Sequence, residues 1–183
     1  MTADGIVVLG VGNTLMQDDG VGVRVVHALS DSYDLPPQVR LIDGGVAGFA
    51  WLQEITAAAD LVIVDAVRGN KAPGTVSQLT PRELRNRQGP TISAHEIGVV
   101  EVLWMAELLG KAPRTVILGV QPWVTDVPGM DLTAPLREAV PAIVRAVVAE
   151  LEKLGAKAVL RPLRDSRSGP GAPLAGGLWG PLY

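Results

Sequence analysis

The chain contains no cysteine. That excludes a disulfide, a thiolate metal site, an iron–sulfur cluster and a cysteine nucleophile, and it suits a reducing compartment. Histidine is scarce: His27 and His95 are the only two. No Lys/Arg run or basic stripe is present and the net charge is −3, so nothing here would neutralise a phosphate backbone, and no nucleic-acid partner is expected. The longest early apolar run, Ile6 to Leu9, falls far short of the roughly 20 residues that a membrane span needs. The first residues carry Asp4 and no basic stretch, unlike a signal peptide. The expectation is a cytoplasmic protein with no membrane insertion. A G-x-S-x-G elbow and an H-E-x-x-H pair are also lacking, so the usual serine, cysteine and zinc peptidase routes have no residues to run on.

What is present suffices for a packed core. Of 183 residues, 48% are hydrophobic and 19% charged, which argues against global disorder. The length fits one domain with a short appendage. The boundary is expected near residue 160, with 1–160 as the domain and 161–183 as a flexible tail. The tail holds five glycines and four prolines without a period, and also Leu178, Trp179, Leu182 and Tyr183. No internal repeat is visible.

Apolar runs of strand length alternate with helical spacing. Ile6 to Leu9, Val39 to Asp43, Leu61 to Val64 and Thr115 to Val120 read as strands, the first, third and last buried on both faces. Val21 to Leu29, the Phe49-Leu52-Ile55 steps, Gly98 to Leu109 and the long series from Leu132 to Leu154 read as helices, with Gly155 as a stop. Thr75 to Leu79, after the Pro73-Gly74 turn, reads as an antiparallel edge strand, and Ala156 to Leu160 as a final edge strand. This order implies an α/β sandwich with a mainly parallel sheet and helices on both faces. Ligands in such folds bind beyond the carboxyl ends of the strands. The residues after the first and third strands therefore draw the eye.

The loop Gly10-Val11-Gly12-Asn13-Thr14-Leu15-Met16-Gln17-Asp18-Asp19-Gly20 follows the first strand. Gly10 and Gly12 open a dinucleotide fingerprint, but Leu15 stands where its third glycine belongs, and no lysine follows as in a P-loop. Two carboxylates before a helix would repel a pyrophosphate there. Asp43 alone imitates a ribose-binding acid. Helix capping accounts for Asp18 and Asp19 as readily as chemistry does, and one could cap while the other reaches into a cleft. Asp65, closing an apolar strand, can be a turn residue or a site carboxylate. His95 lies close behind the N-cap candidate Ser93, at a helix start. His27, inside the first helix, reads as a plain helical residue. Asp19, Asp65 and His95 could converge at one edge as three O/N ligands with open positions. Without metal, the two acids could serve as an acid/base pair. Spacing does not choose between these roles.

The pattern Gly10-Val11-Gly12-Asn13-Thr14-Leu15-x-x-Asp18-Asp19-Gly20-x-Gly22 closely resembles the N-terminal signature of the nickel–iron hydrogenase maturation endopeptidases. So do Asp43-Gly44-Gly45 with Gly48, Asp65-Ala66 followed by Ala72-Pro73-Gly74-Thr75, and Ser93-x-His95-x-x-Gly98 with Leu103, in that order. The resemblance covers about residues 5 to 160 and leaves the tail aside. It implies a three-layer α/β fold with a five-stranded twisted sheet flanked by helices, acting as a monomer. It implies a peptidase that removes a C-terminal extension from the precursor of the hydrogenase large subunit after nickel insertion. It also implies that nickel, presented by the substrate, is sensed through Asp19, Asp65 and His95, with a surrogate divalent metal such as zinc or cadmium possible in purified protein. For the cut itself, a water activated by Asp19 or Asp65 is the preferred route and metal-assisted activation the competitor. Two other readings stand beside this one: a non-catalytic metal-sensing chaperone of the same pathway, and a nucleotide-binding α/β protein.

Overall fold

The computed structural model of the chain describes residues 5–88 and 98–162. In chain order the strands are β1 (Ile6–Val11), β2 (Tyr33–Asp34), β3 (Val39–Gly45), β4 (Asp60–Ala66), β5 (Val76–Leu79), β6 (Arg114–Val120) and β7 (Val159–Leu160). The helices are α1 (Val21–Ser32), α2 (Trp51–Ala57), α3 (Pro81–Gln88), α4 (Val99–Leu108) and α5 (Ala134–Lys153). Five strands form one sheet in the order β3-β1-β4-β6-β5. Every pairing is parallel except β5 with β6, so the Pro73-Gly74 turn does lead into an antiparallel edge strand.

The buried strands show a period of two that splits the core. Val8 of β1 and Val62 and Val64 of β4 pack with α1 and α5 on one face. Val7 and Leu9 of β1, with Leu61 and Ile63 of β4, pack with α2, α3 and α4 on the other. Successive side chains of a strand point to opposite faces, so a continuous apolar run is what a strand covered on both sides needs. The result is the three-layer α/β arrangement expected.

Several local features differ from the expectations or were not among them. The segment 156–160 does not extend the main sheet: β7 pairs with β2 in a separate two-stranded ribbon. Arg161 belongs to the body, because its side chain reaches Asp34 Oδ1 at 2.6 Å and the Ser30 carbonyl at 2.8 Å. Residues 163–183 lie outside the described residues. Helix α3 has too little apolar character to show a period, yet its start is written in Thr80-Pro81-Arg82-Glu83. The Thr80 backbone N–H donates to Glu83 Oε2 at 2.7 Å, the Glu83 N–H donates to Thr80 Oγ1 at 3.3 Å, and Pro81 opens the first turn. That is a capping box with proline at the first helical position. Helix α4 takes Gly98 as its N-cap, and the N-cap candidate Ser93 lies outside the described residues.

Candidate active site

All four long parallel strands end at one edge of the sheet. The loop after β1 is shaped by close backbone contacts. Gly12 has φ +128°, and a Cβ on it would lie 1.8 Å from the Asp19 carbonyl oxygen. Only glycine lets the chain fold back so tightly. Gly22, in the first turn of α1, lies against β4: a Cβ there would meet the Val64 carbonyl oxygen at 2.1 Å. Val64 precedes Asp65. The missing side chain thus lets the start of α1, and the Asp19 loop before it, press against the carboxyl end of β4.

Residues Gln17 to Gly20 form a short 3₁₀ turn carrying both acids. Neither caps α1, whose N-cap is Gly20 with no side-chain cap bond. They diverge sharply. Asp18 is fully buried. Its carboxylate accepts from the backbone N–H groups of Trp123, Val124 and Thr133 at 3.0, 3.1 and 2.8 Å, and from the Thr133 hydroxyl at 2.9 Å. It is a staple between the β1 loop and the β6–α5 connection. Asp19 is partly exposed and accepts from the Asn13 backbone N–H at 2.8 Å.

Asp65, the penultimate residue of β4, keeps some solvent exposure but sits deep among protein atoms. Its carboxyl pKa is raised to about 7, first by loss of solvation and then by the negative charge of Asp19, against a lowering bond from the Ala66 backbone N–H. Burial and a like charge both disfavour the ionised form. Asp19 thus lies near enough to Asp65 for its charge to act on it. His95 falls within residues 89–97, outside the described residues. Among the described residues no group of three or more His, Asp or Glu side chains that could hold a metal ion occurs.

Asp43, the imitation of a ribose-binding acid, has another partner. Its Oδ2 lies 2.8 Å from His27 Nε2, so His27 is more than a bystander on α1. Sequence reasoning missed the role of Asp18, because its partners are more than 100 positions away and leave no local signal.

An open, mainly parallel α/β sheet with two neighbouring carboxyls at its carboxyl edge places the chain in the class of α/β proteins whose ligands bind beyond the carboxyl ends of the strands. Comparison with known proteins narrows it. The family model described as hydrogenase maturation protease matches residues 23–150, beginning just past the first loop. The hydrogenase expression/formation protein HoxM of Azotobacter vinelandii is 37% identical over 177 residues, covering 96% of this chain and 85% of that protein. The hydrogenase 2 maturation protease of Escherichia coli K12 is 36% identical over 158 residues, covering 85% of this chain and 96% of the relative. The solved structure of the hydrogenase maturating endopeptidase HybD from E. coli superposes with a TM-score of 0.77 at 34% identity, over 86% of this chain and 98% of that one. The chain belongs to the hydrogenase maturation protease family and is a peptidase. No helix among the described residues is long and apolar enough to cross a membrane.

Proposed function

We propose that the chain cuts a C-terminal extension from the precursor of a nickel–iron hydrogenase large subunit once nickel has been inserted. The observation that carries this reading is the like-charge pair Asp19 and Asp65 at the carboxyl edge, with Asp65 raised to about 7. Two acids held so that one keeps its proton near neutral pH can divide acid and base roles between them. Asp19 takes a proton from the attacking water. Its hydroxyl adds to the peptide carbonyl carbon. Asp65 gives its proton to the departing amide nitrogen, so the products are a carboxylic acid and a free amine, with no net oxidation. The similarity to relatives named as hydrogenase maturation proteases supplies the substrate.

Nickel enters as part of the substrate. A hard carboxylate pair is an incomplete ligand set, and His95, which belongs to the motif Ser93-x-His95, would add the imidazole nitrogen that nickel accepts. An incomplete site is filled only when the precursor brings a metal with its own ligands. Cleavage would then depend on loading. The reading goes with a monomeric peptidase acting in the cytoplasm.

Mass spectrometry of the precursor, before and after adding the protein, is the test. Loss of a C-terminal peptide from nickel-loaded but not nickel-free precursor is expected, with Asp65→Asn slower by about a thousandfold and His95→Ala unable to respond to loading. An intact precursor in every sample would overturn the reading. Equal cleavage of loaded and empty precursor would remove the nickel check alone.

A further inference from the structure

Six large apolar side chains stand out of the same edge as the two acids. Val46 and Phe49 follow β3, Leu15 follows β1, and Trp123, Val127 and Met130 follow β6; each is between 48% and 69% exposed. Three of them are carried on an arm between β6 and α5 that is held in place at several points. Asp18 binds the Trp123 and Val124 backbone N–H groups. The Gln17 backbone N–H donates to the Gly129 carbonyl at 2.8 Å, and the Gly129 N–H to the Leu15 carbonyl at 2.9 Å. Arg24 reaches the Met130 carbonyl at 2.6 Å. On the other side, the Gly12 N–H donates to the Gly45 carbonyl at 2.9 Å, tying the β3 end to the same loop. Gln17 holds φ +49°, a left-handed conformation unusual outside glycine, within this set of bonds. Exposed apolar groups on a fixed frame lose little conformational freedom when something covers them.

The sheet order gives this rim a geometry. Asp19 lies in the loop that follows β1 and Asp65 near the end of β4, and these two strands are neighbours inside the sheet. β3 lies on one side of them and β6 on the other. Adjacent strands are about 4.8 Å apart, so the β3 end and the β6 end are separated by about 14 Å, the length of about four residues of extended chain at about 3.3 Å each. The apolar groups thus flank the acids on both sides, at a span that a short extended peptide covers.

We infer that this rim is the docking surface for the stretch of substrate around the cleaved bond. That stretch lies extended across the strand ends, with one bulky apolar side chain against Phe49 and Val46 and another, about four residues away, against Trp123 and Met130. The bond to be cut then lies over Asp19 and Asp65. The inference rests on the peptidase reading above and adds how the substrate is seated and which side chains select it. Continuity with the acids decides the occupant: whatever covers both flanks must pass over the reactive pair.

The test is the initial rate of cleavage against precursor concentration for the unmodified protein, Phe49→Ala, Trp123→Ala, the double variant and Leu108→Ala. Leu108 is as exposed as Trp123, but α4 has run back toward the opposite edge by that point, so it serves as a control. All of these side chains are at the surface, so thermal melting should be unchanged. The half-saturating concentration should rise about tenfold in each rim single variant and further in the double, with the maximal rate within about twofold; Leu108→Ala should match the unmodified protein. Unchanged saturation in both rim variants would overturn the docking surface while leaving the peptidase reading intact. So would a dimer of the unmodified protein that the double variant dissolves without change in saturation, since the rim would then join two copies. Failure of the unmodified protein to cleave would overturn the peptidase reading and this inference together.

Discussion

Strand β4 carries an aspartate at its first residue and another at its last but one, and the two have opposite surroundings. Asp60, at the amino edge, is nearly buried and gripped by the Arg114 guanidinium, with Nε 2.7 Å from Oδ1 and Nη2 2.8 Å from Oδ2. Asp65, at the carboxyl edge, is pushed up to about 7, first by burial and then by the charge of Asp19. The same side chain meets an opposite charge at one end of the strand, and burial beside a like charge at the other. A paired charge is structure; two like charges held together against repulsion need a reason, and chemistry is the usual one. Asp18 and Asp19 repeat the lesson at adjacent positions, one buried under four hydrogen bonds and the other left partly open.

The largest effect should come from the buried staple. Asp18→Ala leaves three backbone N–H groups and a hydroxyl without their acceptor, and a loss of about 3–4 kcal/mol in unfolding free energy is expected by denaturant titration. A loss under about 1 kcal/mol would mean that the arm does not need Asp18.

Next is the pH dependence of stability. An aspartate carboxyl ordinarily titrates near 3.8, and that of Asp65 in the folded protein is raised to about 7. Between those limits the folded state holds a proton that the unfolded state has released, so stability falls as pH rises through the window. Asp65→Asn, always neutral, escapes this. Its stability relative to the unmodified protein should rise by about 2 kcal/mol between pH 5 and pH 8, an amount discounted for the partial exposure of Asp65. A gap that does not change with pH would contradict the raised value.

The smallest effect should be at the amino edge. Arg114 has a side chain 81% exposed, so solvent screens its pair with Asp60. Arg114→Ala should lower stability by about 1 kcal/mol and leave cleavage unchanged. A comparable loss of cleavage would erase the distinction between the two edges.

The sheet was legible because its strands are unbroken apolar runs and its crossovers carry apolar residues at helical steps. Asp65 was legible for the same reason: a carboxylate closing such a run stands at the ligand edge. Helix α3 escaped because Pro81 to Gln88 has one buried apolar residue, Leu84, and no period, although its capping box was there to be read. The ribbon of β2 with β7 escaped because its two halves are more than 120 residues apart and two residues long each. Choosing between Asp18 and Asp19 needed tertiary partners: helix capping was an adequate local account of both, and the structure gives that role to neither. The Gly22 contact with Val64 is likewise invisible in sequence, yet it is what brings the first loop to Asp65.

The most direct test of the like-charge pair is a carbon-detected NMR titration of the aspartate carboxyls in the unmodified protein, Asp19→Asn and Asp65→Asn. One carboxyl titrating near pH 7, absent in Asp65→Asn and moved downward in Asp19→Asn, is the predicted result. If every carboxyl titrates below about pH 5, or if Asp19→Asn leaves the high one unmoved, the two acids do not act as a pair.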